Sequence, residues 1–232
     1  MSTLTPRNIE ILKIIVEEYL ETWAVLGSKL LLKKYDLWVS SATVRNDMAH
    51  LEKLELVYQP YNSAGRLPTT KGLRAFVNYL MRETPEHFLQ EKNVSVSQTD
   101  FRRINDFVHK IVYELSKNTW EIAFFTIPEK HIVEHAGIPT FLKKNHKKLG
   151  NEIYSILEML EDKMSFMKFI SDFPLNNGVN VLIGDENILP YLKDYSLIIK
   201  PLHIDGETAY IGILGWLQMD YSFNISAVRG II

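Results

Sequence analysis

Apolar positions recur with helical spacing through the first eighty residues, and each run is bounded by a start or stop signal. Thr5-Pro6 is a helix start, with Thr as N-cap and Pro at the first helical position. Leu12, Ile15, Val16, Tyr19 and Leu20 then form one stripe that runs to about Thr22. Gly27-Ser28 breaks it, and Ser28 caps a second helix from Lys29 to about Tyr35, with Leu30 and Leu31 inward. A turn, Asp36-Leu37-Trp38-Val39, precedes a third helix capped by Ser40 or Ser41. Its buried face is Val44, Met48 and Leu51, at i, i+4 and i+7. Leu56 to Pro60 then reads as a short strand, Asn62-Ser63-Ala64-Gly65 as a turn and Arg66-Leu67-Pro68 as the return. Thr69 or Thr70 caps a closing helix with Leu73, Phe76, Val77 and Leu80 on one side.

The pattern changes after Arg82-Glu83-Thr84-Pro85-Glu86, which marks a domain boundary, and the polar run Asn93 to Asp100 reads as loop. The most regular helix of the chain follows, through Phe101, Ile104, Phe107, Val108, Ile111, Val112 and Leu115. Trp120 to Ile127 reads as a strand ended by Pro128, and residues 130–150 carry no clear period, with Gly137 and Pro139 as breakers. One long amphipathic helix is expected from Asn151 to Ile170, through Ile153, Ile156, Leu157, Leu160, Met164 and Met167. Val179 to Ile183 reads as a strand ending at Gly184. Leu197 to Ile204 and Ala209 to Leu214 read as a hairpin around Asp205-Gly206, with a final helix from Asp220. The class is α+β.

Three helices, a hairpin and a closing helix are the layout of a winged helix-turn-helix domain, so the solvent face of the third helix matters most. At 100° per residue that face carries Ala42, Asn46, Ala49, His50 and Lys53, flanked by Thr43 and Arg45. Two alanines permit close approach to a surface, and Arg and Asn suit base edges. The hairpin brings Ser63, Gly65 and Arg66 as backbone or minor-groove contacts. Ser28, Lys29, Ser40, Ser41 and Lys71 complete a candidate DNA-binding set.

The net charge of −2 argues against a nucleic-acid binder until it is divided. Residues 1–82 hold 11 Lys/Arg against 8 Asp/Glu, and the remainder 15 against 20. A mildly basic head on an acidic body suits a DNA reader joined to a sensing or assembly domain. Cysteine is absent, which excludes disulfides and thiolate chemistry and fits a cytoplasmic location. No apolar run approaches the roughly 20 residues of a membrane span, and the first ten residues lack a signal-peptide core.

Gly27-Ser28, the run SSATVRNDMAHLEKL from Ser40, and Tyr61-Asn62-Ser63-Ala64-Gly65-Arg66-Leu67-Pro68-Thr69 resemble the bacterial heat-inducible transcription repressor family HrcA. A second likeness covers GVNVLIGDEN from Gly178, Asp194 to Leu197, Gly212 to Gly215 and Met219-Asp220-Tyr221. Ala136-Gly137-Ile138-Pro139 resembles the segment before it. The resemblance implies a winged helix-turn-helix domain over 1–83, a linker over 84–100, and a reduced GAF-like α/β domain with long amphipathic helices over 101–232. It implies a repressor of chaperone operons acting on an inverted-repeat operator in double-stranded DNA, with activity tied to the chaperonin GroEL. It implies no enzyme activity, no cofactor and no membrane.

The chain departs from the family in three places. After Ile127 it jumps to the late part of the family sequence, without the inserted dimerisation domain. Gly215-Trp216-Leu217-Gln218 replaces a Gly-Pro-Arg run, and Trp38 stands where the pattern usually has a smaller residue.

One recognition helix reads too few base pairs for specificity against a genome, so a homodimer is expected on a two-fold operator. Its interface is expected on Phe101, Ile104, Val108 and Ile111 of one helix and Leu157, Leu160 and Met164 of another. The blander reading packs both helices on their own sheet. Two rival functions are weighed. One is a regulator whose GAF-like domain senses a small molecule, which a pocket lined by polar groups among the C-terminal strands would favour and an aromatic-filled interior would oppose. The other is an H-x-x-E-H hydrolase built on His131, Glu134 and His135, which needs both histidines on one helical face. Solvent-facing histidines, no metal and no catalytic residue are the expectation. Ser165-Phe166-Met167-Lys168 matches S-x-x-K without a partner motif, and no phosphate loop occurs.

Overall fold

A computed structural model describes residues 4–35, 37–62, 64–83, 101–146 and 150–231. Two compact units divide the chain, Met1–Pro85 and Glu86–Ile232. The first is ordered α1 (Pro6–Thr22), α2 (Ser28–Lys34), α3 (Ser41–Lys53), β1 (Val57–Tyr58), β2 (Leu67–Pro68) and α4 (Thr70–Glu83).

Thr5 starts α1 with a reciprocal box: its hydroxyl accepts from the Asn8 N–H at 3.1 Å, and the Asn8 side chain accepts from the Thr5 N–H at 3.2 Å. Ser40 caps α3, accepting from the Thr43 N–H at 3.1 Å. The stripes converge on one core of Ile11, Leu12, Ile15, Val16, Leu31, Val44, Met48, Leu51, Leu73, Phe76 and Val77. Burying each such side chain contributes on the order of 1.5–3 kcal/mol. Only Leu31 of α2 is buried; Leu30, expected inward, is 47% exposed, because a seven-residue helix turns a single position to the core. Val57 pairs with Pro68 and Tyr58 with Leu67, antiparallel. Leu26 and Arg66 add an isolated bridge through two backbone hydrogen bonds. At Gly65 any Cβ would strike the Leu26 carbonyl, so the hairpin closes onto this segment only with glycine there.

The second unit holds α5 (Phe101–Thr119), β3 (Ile122–Ile127), β4 (Ile132–Ala136), α6 (Ile138–Asn145), α7 (Glu152–Glu161), α8 (Lys163–Ser171), β5 (Asn180–Ile183), β6 (Tyr195–Ile204), β7 (Glu207–Trp216) and α9 (Tyr221–Arg229). Its strands form one antiparallel sheet in the order β4-β3-β7-β6-β5. Strand alternation sorts the two faces. Ile122, Phe124, Tyr195, Leu197, Ile199 and Leu214 face the core made with α6, α7 and α8. Residues of opposite parity, such as Ala123, Phe125, Ile198 and Ile213, face α5 and α9. Asp205 and Gly206 join β6 to β7 with φ of 52° and 83°, the double left-handed turn that matches strand twist.

Several expectations are corrected here. The helix expected over Asn151–Ile170 is two helices. Asp162 leaves helical geometry at φ −80° and ψ 91°, and its carboxylate accepts from Met164 and Ser165, capping α8. The strand expected from Trp120 begins at Ile122, because Trp120 turns left-handed at φ 63° to close α5. The segment left without a clear period carries His131-Ile132-Val133-Glu134-His135 on a left-handed turn and β4, with His131 exposed and His135 half-exposed, so the zinc-peptidase spacing that was weighed has no helical meaning. Glu134 instead meets His109 of α5 at 2.6 Å. Val108 and Leu160 are buried in their own unit at 6% and 1% exposure, because both helices pack on the sheet, so neither is free for an interface between copies. Ile111 and Leu157 are half-buried and Met164 is 63% exposed; the side chains of Phe101 and Ile104 lie outside the described residues.

Candidate nucleic-acid interface

The chemistry gathers on α3 and what holds it. Ala42, Arg45, Asn46 and Lys53 are exposed, and Ser41, Thr43 and Ala49 are half-exposed on the same helix. Arg45 donates to the Ser41 hydroxyl at 3.3 Å, and the Ser40 and Thr43 hydroxyls are 2.9 Å apart. The N-terminal turn of α3 therefore offers short hydroxyls and one long cation to solvent, and its dipole favours an anion.

Beside it opens a cleft of about 500 Å³, lined by Gly27, Ser28, Lys29, Arg45, Met48, Gln59, Ala64, Gly65 and Arg66. Ser28, Lys29, Arg45, Gly65 and Arg66, all expected at the interface from sequence, thus share one concavity. Ser63 lies outside the described residues. Lys71 stands apart, paired with Glu55 at 2.9 Å on the surface. Arg66 behaves differently from an open wing cation. Its guanidinium donates to Glu52 Oε2 at 2.8 Å and lies close to the Ala64 and Gly65 carbonyls, with only 16% of the side chain exposed. It ties the hairpin to α3 first.

Sequence reasoning missed the clamp behind the helix. Asp47 sits beside the apolar stripe of α3 and is buried. Arg7 Nε donates to its Oδ2 at 2.6 Å and Asn8 Nδ2 to its Oδ1 at 2.9 Å, so two consecutive residues of α1 grip α3. This contact raises the Arg7 pKa above its ordinary value, mainly through the hydrogen bond to Asp47. A second buried acid, Glu18 of α1, accepts from Lys34 at 2.6 Å and from Tyr35 at 3.3 Å, fixing α2. The Lys34 bond, against the opposing cost of burial, holds the Glu18 carboxyl below its usual range. The sequence signal for Asp47 was an acid one residue from Met48 on the inward side of a helix.

A family profile described as HrcA protein C terminal domain matches residues 66–225, more than half of the sequence. A protein named heat-inducible transcription repressor HrcA from Alkaliphilus metalliredigens (strain QYMF) is 42% identical over 328 aligned positions, covering 98% of this chain and 95% of its own. The chain belongs to the HrcA family. That alignment is longer than the 232-residue chain, so gaps fall within it. Proteins of the same name from Clostridioides difficile (strain 630) and Arthrobacter sp. (strain FB24) are 37% identical over 123 residues. This is 53% of the chain but 35% and 36% of theirs, so the match spans about a third of these HrcA relatives. A solved structure titled as a hypothetical protein at 2.2 Å resolution superposes with a TM-score of 0.78 at 19% identity, over 97% of this chain and 95% of that one. It supports the α+β fold alone. Among the described residues of this HrcA-family chain, no helix is long and apolar enough to cross a membrane.

Proposed function

We propose that this HrcA-family chain is a cytoplasmic, sequence-specific DNA-binding repressor of heat-shock genes. In this reading residues 1–83 are a winged helix-turn-helix domain and 101–232 a reduced GAF-like regulatory and dimerisation domain; the linker expected over 84–100 lies outside the described residues. The observation that carries it is the outer face of α3. Arg45 and Asn46 are exposed beside Ala42 and the half-exposed Ala49, on a helix capped by Ser40 and clamped from behind through Asp47. Arg45 and Asn46 reach base edges in a major groove. The cleft between α2, α3 and the hairpin takes a backbone phosphate through Ser28 and Lys29, with Arg66 lining it while held by Glu52.

Specificity on an inverted repeat calls for two copies. With Val108 and Leu160 buried in their own core, what remains of the expected interface on α7 and α8 is Met164 with part of Leu157, and Tyr154 of α7 is exposed there as well. The regulatory link to GroEL rests on the family resemblance. The small-molecule alternative finds little support between sheet and helices, where Phe124 meets Phe166 edge-on at 5.1 Å and Tyr195 meets Trp216 at 4.7 Å. The deciding experiment is a binding selection from genomic fragments, read by sequencing. Enrichment of fragments sharing an inverted repeat is the expected result, and recovery no better than random duplex refutes the reading.

A further inference from the structure

Trp38 stands in the turn between α2 and α3, two residues before the cap Ser40, and 89% of it is exposed. Its backbone is left-handed, at φ 51°. Both features oppose folding. Tryptophan is highly buried on average, and a bulky non-glycine residue at positive φ is strained. The other tryptophans have local reasons for their places. Trp23 is the left-handed cap of α1 and lies 6.4 Å from the Tyr19 ring. Trp120, also left-handed, bonds its N–H to the Ser116 carbonyl where α5 closes. Trp216 packs edge-on against Tyr195. Trp38 caps no helix, since α2 ends at Lys34 and Tyr35 is its C-cap.

We infer that Trp38 is a DNA-backbone contact, with its ring over a sugar and its indole Nε1–H donating to a phosphate. This rests on the DNA-binding reading above and adds a residue to it. The place fits the chemistry. The turn leads into the N-terminal end of α3, where the helix dipole and the exposed Ser40 hydroxyl already favour an anion. Indole joins an apolar face to a single donor, which suits a surface that alternates sugar and phosphate. Such contacts fix register and orientation without reading sequence. The left-handed backbone holds the side chain in the turn, outside the packed faces of both helices.

The test uses the full chain and two duplexes: the fragment most retained in the genomic selection, and a random-sequence duplex of equal length. Glycine and asparagine both tolerate positive φ, so Trp38→Gly and Trp38→Asn keep the fold at equal or higher thermal stability. Both are expected to weaken binding about fivefold on each duplex, the loss of one good hydrogen bond and its packing. Trp38→Phe keeps the ring and loses part of that affinity. Acrylamide quenching supplies a direct readout. Duplex protects a tryptophan in the wild type, and this protection is absent in Trp38→Phe. Unchanged affinity in Trp38→Gly, or protection that persists in Trp38→Phe, overturns the inference while leaving the DNA reading intact. A loss on the selected duplex alone makes Trp38 a base contact and overturns the backbone assignment. A wild type that binds neither duplex removes the DNA reading itself.

Discussion

Removing Asp47 tests the claim that α1 positions α3. Its side chain is 10% exposed and its partner Asn8 is 2% exposed, whereas Arg7 keeps 45% of its side chain in solvent. In Asp47→Ala the guanidinium returns to water at little cost, since exposed ion pairs are worth about 0–1 kcal/mol. Asn8 does not return. Its Nδ2 is left buried without an acceptor, which costs about 1–3 kcal/mol. The expected loss is therefore about 2–3 kcal/mol, or about 8–24 °C in Tm for a unit of this size. Asp47→Asn keeps an oxygen for Asn8 but loses the charge and the acceptor for Arg7 Nε, whose half-exposed guanidinium can turn to water, so a smaller loss of about 1 kcal/mol is expected there. Tryptophan fluorescence and calorimetry on the full chain follow the transition, with Trp23 and Trp38 in the first unit and Trp120 and Trp216 in the second. DNA affinity should fall with stability, although Asp47 points away from the proposed interface. A Tm shift below about 3 °C for Asp47→Ala refutes the reasoning. So does a double change, Asn8→Ala with Asp47→Ala, that is additive to within about 0.5 kcal/mol.

Arg45→Ala should weaken binding to the selected duplex by about 1–3 kcal/mol and to random duplex by much less; equal losses would reassign Arg45 to phosphate. Glu52→Gln should free the Arg66 charge for phosphate and steepen the salt dependence of log K by roughly one, checked by titrating salt against affinity. Asp162→Ala should cost about 1 kcal/mol by uncapping α8, measured by denaturant unfolding of the second unit. Burial pushes the Glu121 pKa up to about 7, against the opposing pull of Lys144 at 2.9 Å. A carboxyl raised in the folded state favours folding below its unfolded range and loses that advantage as pH rises through about 7. The second unit should therefore lose stability across that window, and Glu121→Gln should flatten the loss.

What was legible in the sequence was periodic. The stripes on α1, α3 and α4, the cap at Thr5, the hairpin at Asp205-Gly206 and the exposed face of α3 all follow from spacing. Failures came where one residue outweighed a period. Asp162 lies within an otherwise unbroken apolar pattern, and only its side-chain bonds to two following N–H groups reveal the break between α7 and α8. The zinc-peptidase spacing of His131 and His135 was set aside from sequence in favour of solvent-facing histidines, and a spacing of four suits a helix or one side of a strand equally. Val108 and Leu160 were legible as apolar, but their packing partner was not, since a stripe does not say whether it meets its own sheet or another copy.

The polar contacts around α3 divide labour with the core in a way the apolar pattern cannot express. Val44, Met48 and Leu51 bury one stripe, but a stripe against a smooth apolar surface leaves sliding and rotation cheap. Directional bonds remove that freedom. Asp47 ties α3 to α1 at Arg7 and Asn8, and Glu52 ties it to the hairpin at Arg66. Glu18 fixes α2 through Lys34 and Tyr35. Each acid is buried or half-buried and each is answered by a donor from another element, so a misplaced helix would strand a charge or an amide away from water. A reader of base edges needs its side chains held to well under an ångström, about the tolerance of a bidentate hydrogen bond. In the proposed DNA reading, the cost of buried acids in so small a unit has its functional counterpart on the opposite face, where Arg45 and Asn46 are held by groups they never touch.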